Sequence, residues 1–328
     1  MDSMTPFVLH SPKSMAQALA LLQAHPGGRL IAGGTDLLPN LRHGIGAPDP
    51  LIDLSGIAET RHIRRGADVW HIGAGVTLQQ LELYADIRSE MPALSQAAAS
   101  IAGPGHRAVA TLGGNLCLDT RCVFYNQSEW WRQSNDYCLK HRGDVCHVAP
   151  QGGRCHAAWS GDLAPALIAL NARVDILGAL GPRSIPLADF YVDDGARPLA
   201  LHAGELVTGV HIAAQPEGMR CGYRKARVRA AIDFPLAGVG ACIVMTDGVL
   251  RDLRVALTGT NSRPFLLEGT EALCGAVVTQ ELLDALGKLV KKQVNPMRTT
   301  ATPSNYRRQV AAVLAQRLIG ELAGSVSS

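Results

Sequence analysis

Leu30-Ile31-Ala32-Gly33-Gly34-Thr35-Asp36 and, further along, Thr111-Leu112-Gly113-Gly114-Asn115-Leu116-Cys117 are the two stretches that decide how this 328-residue chain is read. Each places paired glycines and a short polar residue directly after a short apolar run. Without Cβ atoms in the way, successive backbone N–H groups can converge on an anion, and the polar residue can add a hydrogen bond to a phosphate or ribityl oxygen. One Gly-Gly-polar turn is an ordinary tight turn; two in one chain suggest a diphosphate cradle. The chain has no G-x-G-x-x-G after a strand, no Walker A sequence, no H-E-x-x-H and no G-x-S-x-G, so nicotinamide-Rossmann and serine-hydrolase readings find no support.

Working outward from the first turn, Phe7 to His10 is extended, and Ser14 with Gln17 three residues on predicts a capping-box helix start. Gly27-Gly28 breaks that helix, Arg29 to Ala32 reads as a short buried strand, and Leu51 to Leu54 as another. Residues 1–57 thus form a small α+β lobe. A second lobe, 58–178, opens at His71 to Val76. There Thr77 with Gln80 predicts another capping box over Leu78, Leu81 and Leu83, and a helix from Leu94 to Ile101 stops at Gly103-Pro104-Gly105. A connecting segment, 179–215, leads to a C-terminal domain, 216–328. That domain has strand-like runs at Gly238 to Val244 and Leu250 to Leu257, helices at 279–292 and 304–322, and a small-residue tail expected to fray.

Composition sets the outer bounds. Hydrophobic residues are 47% and charged residues 18%, below the usual share of about 25% charged, so the chain can bury a large core. A formal charge of +3 is too small for a protein that tracks nucleic acid electrostatically. No run approaches the ~20 apolar residues of a membrane span, and the start shows no basic n-region or apolar h-region. A cytoplasmic location is expected. The basic runs Arg61 to Arg65 and Lys291-Lys292 read as solvated faces that could steer an acidic partner.

Eight cysteines need a local explanation in such a chain. Cys117, Cys122, Cys138, Cys146 and Cys155 cluster, with Trp130, Trp131, Trp159, Phe124, Tyr125 and Tyr137 in or beside the same window. The last four of these cysteines are separated by 15, 7 and 8 residues, which matches neither the closely paired ligands of zinc ribbons nor bacterial ferredoxin spacing. Four thiols in one aromatic-rich loop suit a [4Fe–4S] cube, four structural thiols, or, with His141, His147 and His156, a Cys/His zinc site.

Taken jointly, four segments resemble the flavin-binding subunits of the xanthine dehydrogenase and carbon monoxide dehydrogenase family. They are Leu30 to Leu37, Ile72 to Leu78, Ala110 to Leu116 and Ser160-Gly161-Asp162-Leu163-Ala164-Pro165. Tyr223 to Arg227 followed by Ala231-Ile232-Asp233-Phe234-Pro235 resembles the start of that family's C-terminal domain. The implied fold class is α+β: a two-lobed FAD-binding domain of the molybdenum hydroxylase flavin-subunit type, a cysteine-rich insertion at about 118–159, and an α+β C-terminal domain. Most relatives run from the Gly-Gly-Asn turn almost directly into the Ser-x-Asp-Leu-x-Pro segment, whereas here about 40 residues intervene. That departure resembles a branch whose insert holds a [4Fe–4S] cluster.

The resemblance implies FAD held by backbone amides of Ile31, Ala32, Gly33, Gly34, Thr35 and Asp36 and of Thr111, Gly113, Gly114 and Asn115. Arg29, Leu30, Ile101 and Leu206 are further contacts, Asp162 lies near the ribityl and phosphate portion, and Lys225 near the flavin. For Asp162 a helix N-cap, and for Lys225 a solvated cation, are the plain alternatives. The cluster ligands would be Cys122, Cys138, Cys146 and Cys155, shielded by Trp130, Trp131, Phe124 and Tyr125. The implied partners are a molybdenum-cofactor subunit and a [2Fe–2S] subunit in a dimer of heterotrimers, with a ferredoxin-like donor. The implied reaction is reductive removal of a phenolic hydroxyl from an aromatic CoA thioester, with this chain as the electron-input module. Two alternatives stay open: a hydroxylase flavin subunit passing electrons outward, and a non-redox binding protein with a zinc-stabilised loop.

Overall fold

The computed structural model describes residues 6–46 and 50–324, so the first five residues and the tail after Gly324 lie outside the described residues. In the first lobe, β1 (Leu9–His10), α1 (Met15–Ala24), β2 (Arg29–Ile31), α2 (Leu37–Arg42) and β3 (Leu51–Asp53) form a parallel sheet in the order β1-β3-β2. The Ser14 hydroxyl caps α1 by accepting from the Gln17 N–H at 3.2 Å. The Gln17 side chain accepts instead from the Lys13 N–H, so the expected box is half formed. β2 is an edge strand with Arg29 exposed and Leu30 and Ile31 half-buried, not the buried strand expected. The lobe is too small to close its own core: Met15, Ala18 and Ile57 pack on Leu206 of the neighbouring lobe.

The second lobe is an antiparallel five-stranded sheet, β4 (Ile63–Arg65), β5 (Val69–Gly73), β6 (Arg173–Gly178), β7 (Gly181–Pro186) and β8 (Leu206–Ala213), ordered β4-β5-β8-β6-β7. Helices α3 (Leu78–Leu83), α4 (Ala85–Glu90), α5 (Pro92–Ser100), α6 (Pro104–Arg107) and α7 (Leu112–Leu116) follow β5. The Thr77–Gln80 box forms with both of its reciprocal hydrogen bonds. The short α8 (Glu129–Ser134) belongs to the insert, and the apolar run after Asp162 becomes α9 (Leu163–Ala169), buried on every face.

The C-terminal sheet has β9 (Met219–Ala226), β10 (Ala237–Thr246), β11 (Val249–Thr258) and β12 (Phe265–Leu266), flanked by α10 (Gln280–Gln293) and α11 (Ser304–Ala323). Successive β10 residues point to opposite faces. Val239, Ala241 and Ile243 pack on α10 and α11, while Cys242 joins the core that contains α5 and α9. Burial on both faces explains why β10 is a continuous apolar run instead of an alternating one. α10 buries Leu282, Leu283, Leu286 and Val290, a helical stripe in which each side chain contributes roughly 1.5–3 kcal/mol.

The insert leaves and returns at one point. The Arg121 N–H donates to the Ala158 carbonyl at 2.8 Å, and the Ala158 N–H returns the bond at 2.7 Å. Between these ties, α8 is the one helix among the described residues of the insert. Trp159, just past the tie, is fully buried in the main core and meets Tyr191 edge-on at 4.6 Å.

Candidate cofactor site

The two glycine turns meet. A Cβ at Gly33 would lie 2.2 Å from the Val109 carbonyl oxygen, so only glycine lets this turn pack onto the turn between α6 and Thr111. Gly34 has φ +69°, a left-handed conformation that glycine adopts without strain. Among the described residues, the backbone N–H groups of Gly33, Gly34, Thr35 and Asp36 have no intramolecular acceptor. The Asp36 carboxylate pairs with Arg121 and accepts from Asn40 Nδ2, which holds the turn from behind.

The second turn behaves differently from expectation. Thr111 caps α7, with its hydroxyl accepting from the Gly114 N–H at 3.1 Å. The Gly113 N–H is spent on the Ala74 carbonyl and the Asn115 N–H on the Thr111 carbonyl. These amides are therefore not free donors. What the segment offers is close approach: Gly114 is exposed, and a Cβ there would meet nothing nearer than the Thr111 hydroxyl at 3.2 Å.

Asp162 stands at the N-cap position of α9, but its side chain makes no capping hydrogen bond. Its carboxylate accepts from the Tyr223 hydroxyl at 2.5 Å and from Lys225 Nζ at 3.0 Å. Lys225 is not a solvated cation either, because its side chain and that of Asp162 are each 4% exposed. Burial pushes the Asp162 carboxyl upward, against the opposing pull of Lys225 and Tyr223, and burial also raises the Tyr223 hydroxyl well above its ordinary range. Lys225 and Arg227 both donate to the Ser100 carbonyl, which brings β9 to Ile101. Asn115 Oδ1 accepts from the Leu163 N–H and ties α7 to α9. Leu206 is fully buried under the first lobe, so its side chain packs and does not face a ligand. Arg29 projects toward Gly46, and Leu30 belongs to the same small core as Leu206.

The four insert cysteines line one cavity together with Phe124, Tyr125, Leu139, Lys140, His147, Val148 and Ala157. Two tryptophans assigned to this wall are not part of it: Trp130 is 74% exposed, and Trp131 sits outside Phe124 with ring centres 6.4 Å apart. Neither His141 nor His156 lines the cavity, and His147 Nε2 is engaged with the Tyr137 carbonyl. The Ala157 N–H points at Cys155 Sγ from 3.4 Å, the kind of N–H···S bond that steadies a metal-bound thiolate. Burial raises the Cys122 thiol and pushes Cys155 up to about 12, so both hold their protons unless a positive partner compensates. All eight cysteines are free, and Cys117, Cys221, Cys242 and Cys274 lie away from the cavity.

Three cationic residues that carried no local sequence signal complete the insert. Arg132, 2% exposed, donates to the carbonyls of Tyr125, Gln127, His43 and Gly44, binding the insert to the loop after α2. Arg121 joins Asp36 and Asn40 and lies 4.4 Å over the Phe234 ring, and burial lowers it to about 10. Lys140 bonds Asp119 at 2.7 Å and lies 4.5 Å over Tyr125 on the cavity wall.

Residues 5–214 match the FAD binding domain in molybdopterin dehydrogenase, and residues 222–322 match the CO dehydrogenase flavoprotein C-terminal domain. The chain is 34% identical over 278 residues to the FAD-binding subunit of an Escherichia coli aldehyde oxidoreductase, covering 82% of this chain and 86% of that one. It is 27% identical to the carbon monoxide dehydrogenase medium chain of Afipia carboxidovorans, covering 95% of each. The solved carbon monoxide dehydrogenase of Hydrogenophaga pseudoflava superposes with a TM-score of 0.81 at 23% identity, covering 99% of this chain and 100% of that one.

Proposed function

This chain belongs to the FAD-binding subunits of the molybdenum hydroxylase family, and from that premise we propose that it is a two-cofactor electron-transfer subunit holding FAD and a [4Fe–4S] cluster. The convergence of Cys122, Cys138, Cys146 and Cys155 on one cavity carries the reading. The free amides of Gly33 to Asp36 would meet the FAD diphosphate, with the exposed Gly114 letting it approach. Ile101, Asp162 and Lys225, joined through Ser100, would lie toward the flavin portion. When bound, the two groups supply one- and two-electron exchange between a molybdenum partner and an outside donor or acceptor. The chain's own residues position those groups: Asp162 fixes Lys225, and Arg121 and Arg132 hold the insert against the flavin lobe.

The insert supports a 4-hydroxybenzoyl-CoA reductase, in which a ferredoxin-like donor feeds this subunit for reductive dehydroxylation of the aromatic thioester. The assembly would pair this chain with [2Fe–2S] and molybdenum subunits in a dimer of heterotrimers. A second reading, outward flow from aldehyde oxidation, is favoured by the 34% identity to the aldehyde oxidoreductase subunit. Anaerobic copurification of the complex, assayed with reduced donor plus 4-hydroxybenzoyl-CoA and with aromatic aldehyde plus acceptor, separates the two. Thioester dehydroxylation alone supports the first and aldehyde oxidation alone the second. Turnover of either substrate by the isolated chain would overturn the subunit assignment.

A further inference from the structure

His71 on β5, His211 on β8 and Asp175 on β6 stand on three adjacent strands, outside both the flavin and the cysteine groups. Their neighbours Trp70, Ile72, Val174, Ile176, Val210 and Ile212 are buried in the main core, so the period-two alternation turns these three outward. His71 pairs directly opposite His211, with ring centres 5.8 Å apart. Asp175 lies opposite Gly209, one diagonal from His211, and an irregularity in the β6–β8 register falls immediately after it. Such bulges re-aim side chains. Both Asp175 carboxylate oxygens come near His211 Nδ1, at 3.0 and 3.3 Å. One donor atom from each of the three lies within 4.8 Å of the others.

We propose that His71, Asp175 and His211 form a binding site for a divalent transition-metal ion on the outward face of the five-stranded sheet. Two imidazoles and a carboxylate suit Zn²⁺, Ni²⁺ or Cu²⁺ over Mg²⁺ or Ca²⁺, which prefer all-oxygen sets. Three protein donors leave the remaining coordination positions to water. Arg64 opposite His71 and Arg173 opposite His211 end the row, and Arg173 is turned away onto the Ser184 carbonyl at 2.7 Å. A bound ion would cross-link β5, β8 and β6.

The test is calorimetric titration of Zn²⁺ into the full chain, in the native sequence and in a background with Cys122, Cys138, Cys146 and Cys155 all changed to Ser, which separates this site from the cysteine cavity. One equivalent should bind in the four-serine background, and its melting temperature should rise with Zn²⁺. His71→Ala and His211→Ala should each weaken that equivalent by at least about 10-fold, and Asp175→Asn by about 10- to 100-fold. Circular dichroism would confirm that the variants fold. Co²⁺ at the site should give d–d bands without thiolate charge transfer. Equal Zn²⁺ affinity with and without His71→Ala in the four-serine background, or no tight binding in that background, would overturn the proposal.

Discussion

The C-terminal sheet and the cysteine insert are held together by different balances of apolar burial and buried cations. In the sheet, β10 and α10 bury Val239, Ile243, Leu286 and Val290 completely, so apolar side chains make up most of the closure, with the fully buried Arg307 on α11 adding bonds to the Leu236 and Met297 carbonyls. The insert has one six-residue helix, and buried cations tie its loops to their surroundings: Arg132 to four carbonyls, Arg121 to Asp36, Lys140 to Asp119. Three of the six buried members of its apolar cluster are cysteines, Cys122, Cys138 and Cys155, beside Ile45, Tyr125 and Ala157. A region built by burial keeps its shape independently, whereas a region built from polar ties and thiols depends on what those thiols hold.

The largest effect expected is on the sheet. Leu286→Ala should cost about 2–5 kcal/mol in urea unfolding followed by circular dichroism, because it opens a cavity in the apolar core that α10 shares with α11 and the sheet. Iron and flavin per folded chain should stay unchanged, and iron loss at low urea would show that the two regions are coupled. Next comes Arg132→Met, which strips the carbonyls of His43 and Gly44 of their donor and should cost about 1–3 kcal/mol. Limited proteolysis should then cut within 118–159 before anywhere in the C-terminal domain. Uniform cleavage would contradict the independence of the two regions.

Gly34→Ala should cost about 1–2 kcal/mol from its left-handed backbone and lower FAD occupancy while leaving iron in place. The smallest effect is electrostatic. Arg183 holds the Glu205 carboxyl below its usual range, so that pair stabilises above the unfolded carboxyl pKa and its contribution is lost as pH falls through the lowered folded value. Glu205→Gln should remove that acid-side dependence, by under about 1 kcal/mol because the pair is near the surface. An unchanged acid limb in thermal melts would assign it to other carboxylates.

Much of the sheet was readable in the chain, because β10 is apolar without interruption and α10 has a helical stripe. The Thr77–Gln80 box and the cap at Ser14 were local signals as well. The parallel pairing of β1, β3 and β2 was not readable, since two- and three-residue strands carry no period. Around the candidate site, the glycine turns and the four cysteines stand out by type. Arg121, Arg132 and Lys140 do not, because a lone cation says nothing about which distant carbonyl or carboxylate it will meet. Nor does spacing reveal that the Gly113 and Gly114 amides are consumed by Ala74 and Thr111.

The central claim is that four of eight cysteines hold an iron–sulfur cube in a region separable from the flavin turn. Iron, acid-labile sulfide and FAD per chain, measured anaerobically across all eight single Cys→Ser substitutions, test it most directly. Iron and sulfide should fall only for Cys122, Cys138, Cys146 and Cys155, because a hydroxyl is a poorer iron ligand than thiolate, with FAD retained in every variant. Undiminished iron in those four variants, or zinc in place of iron in the native chain, would contradict the account.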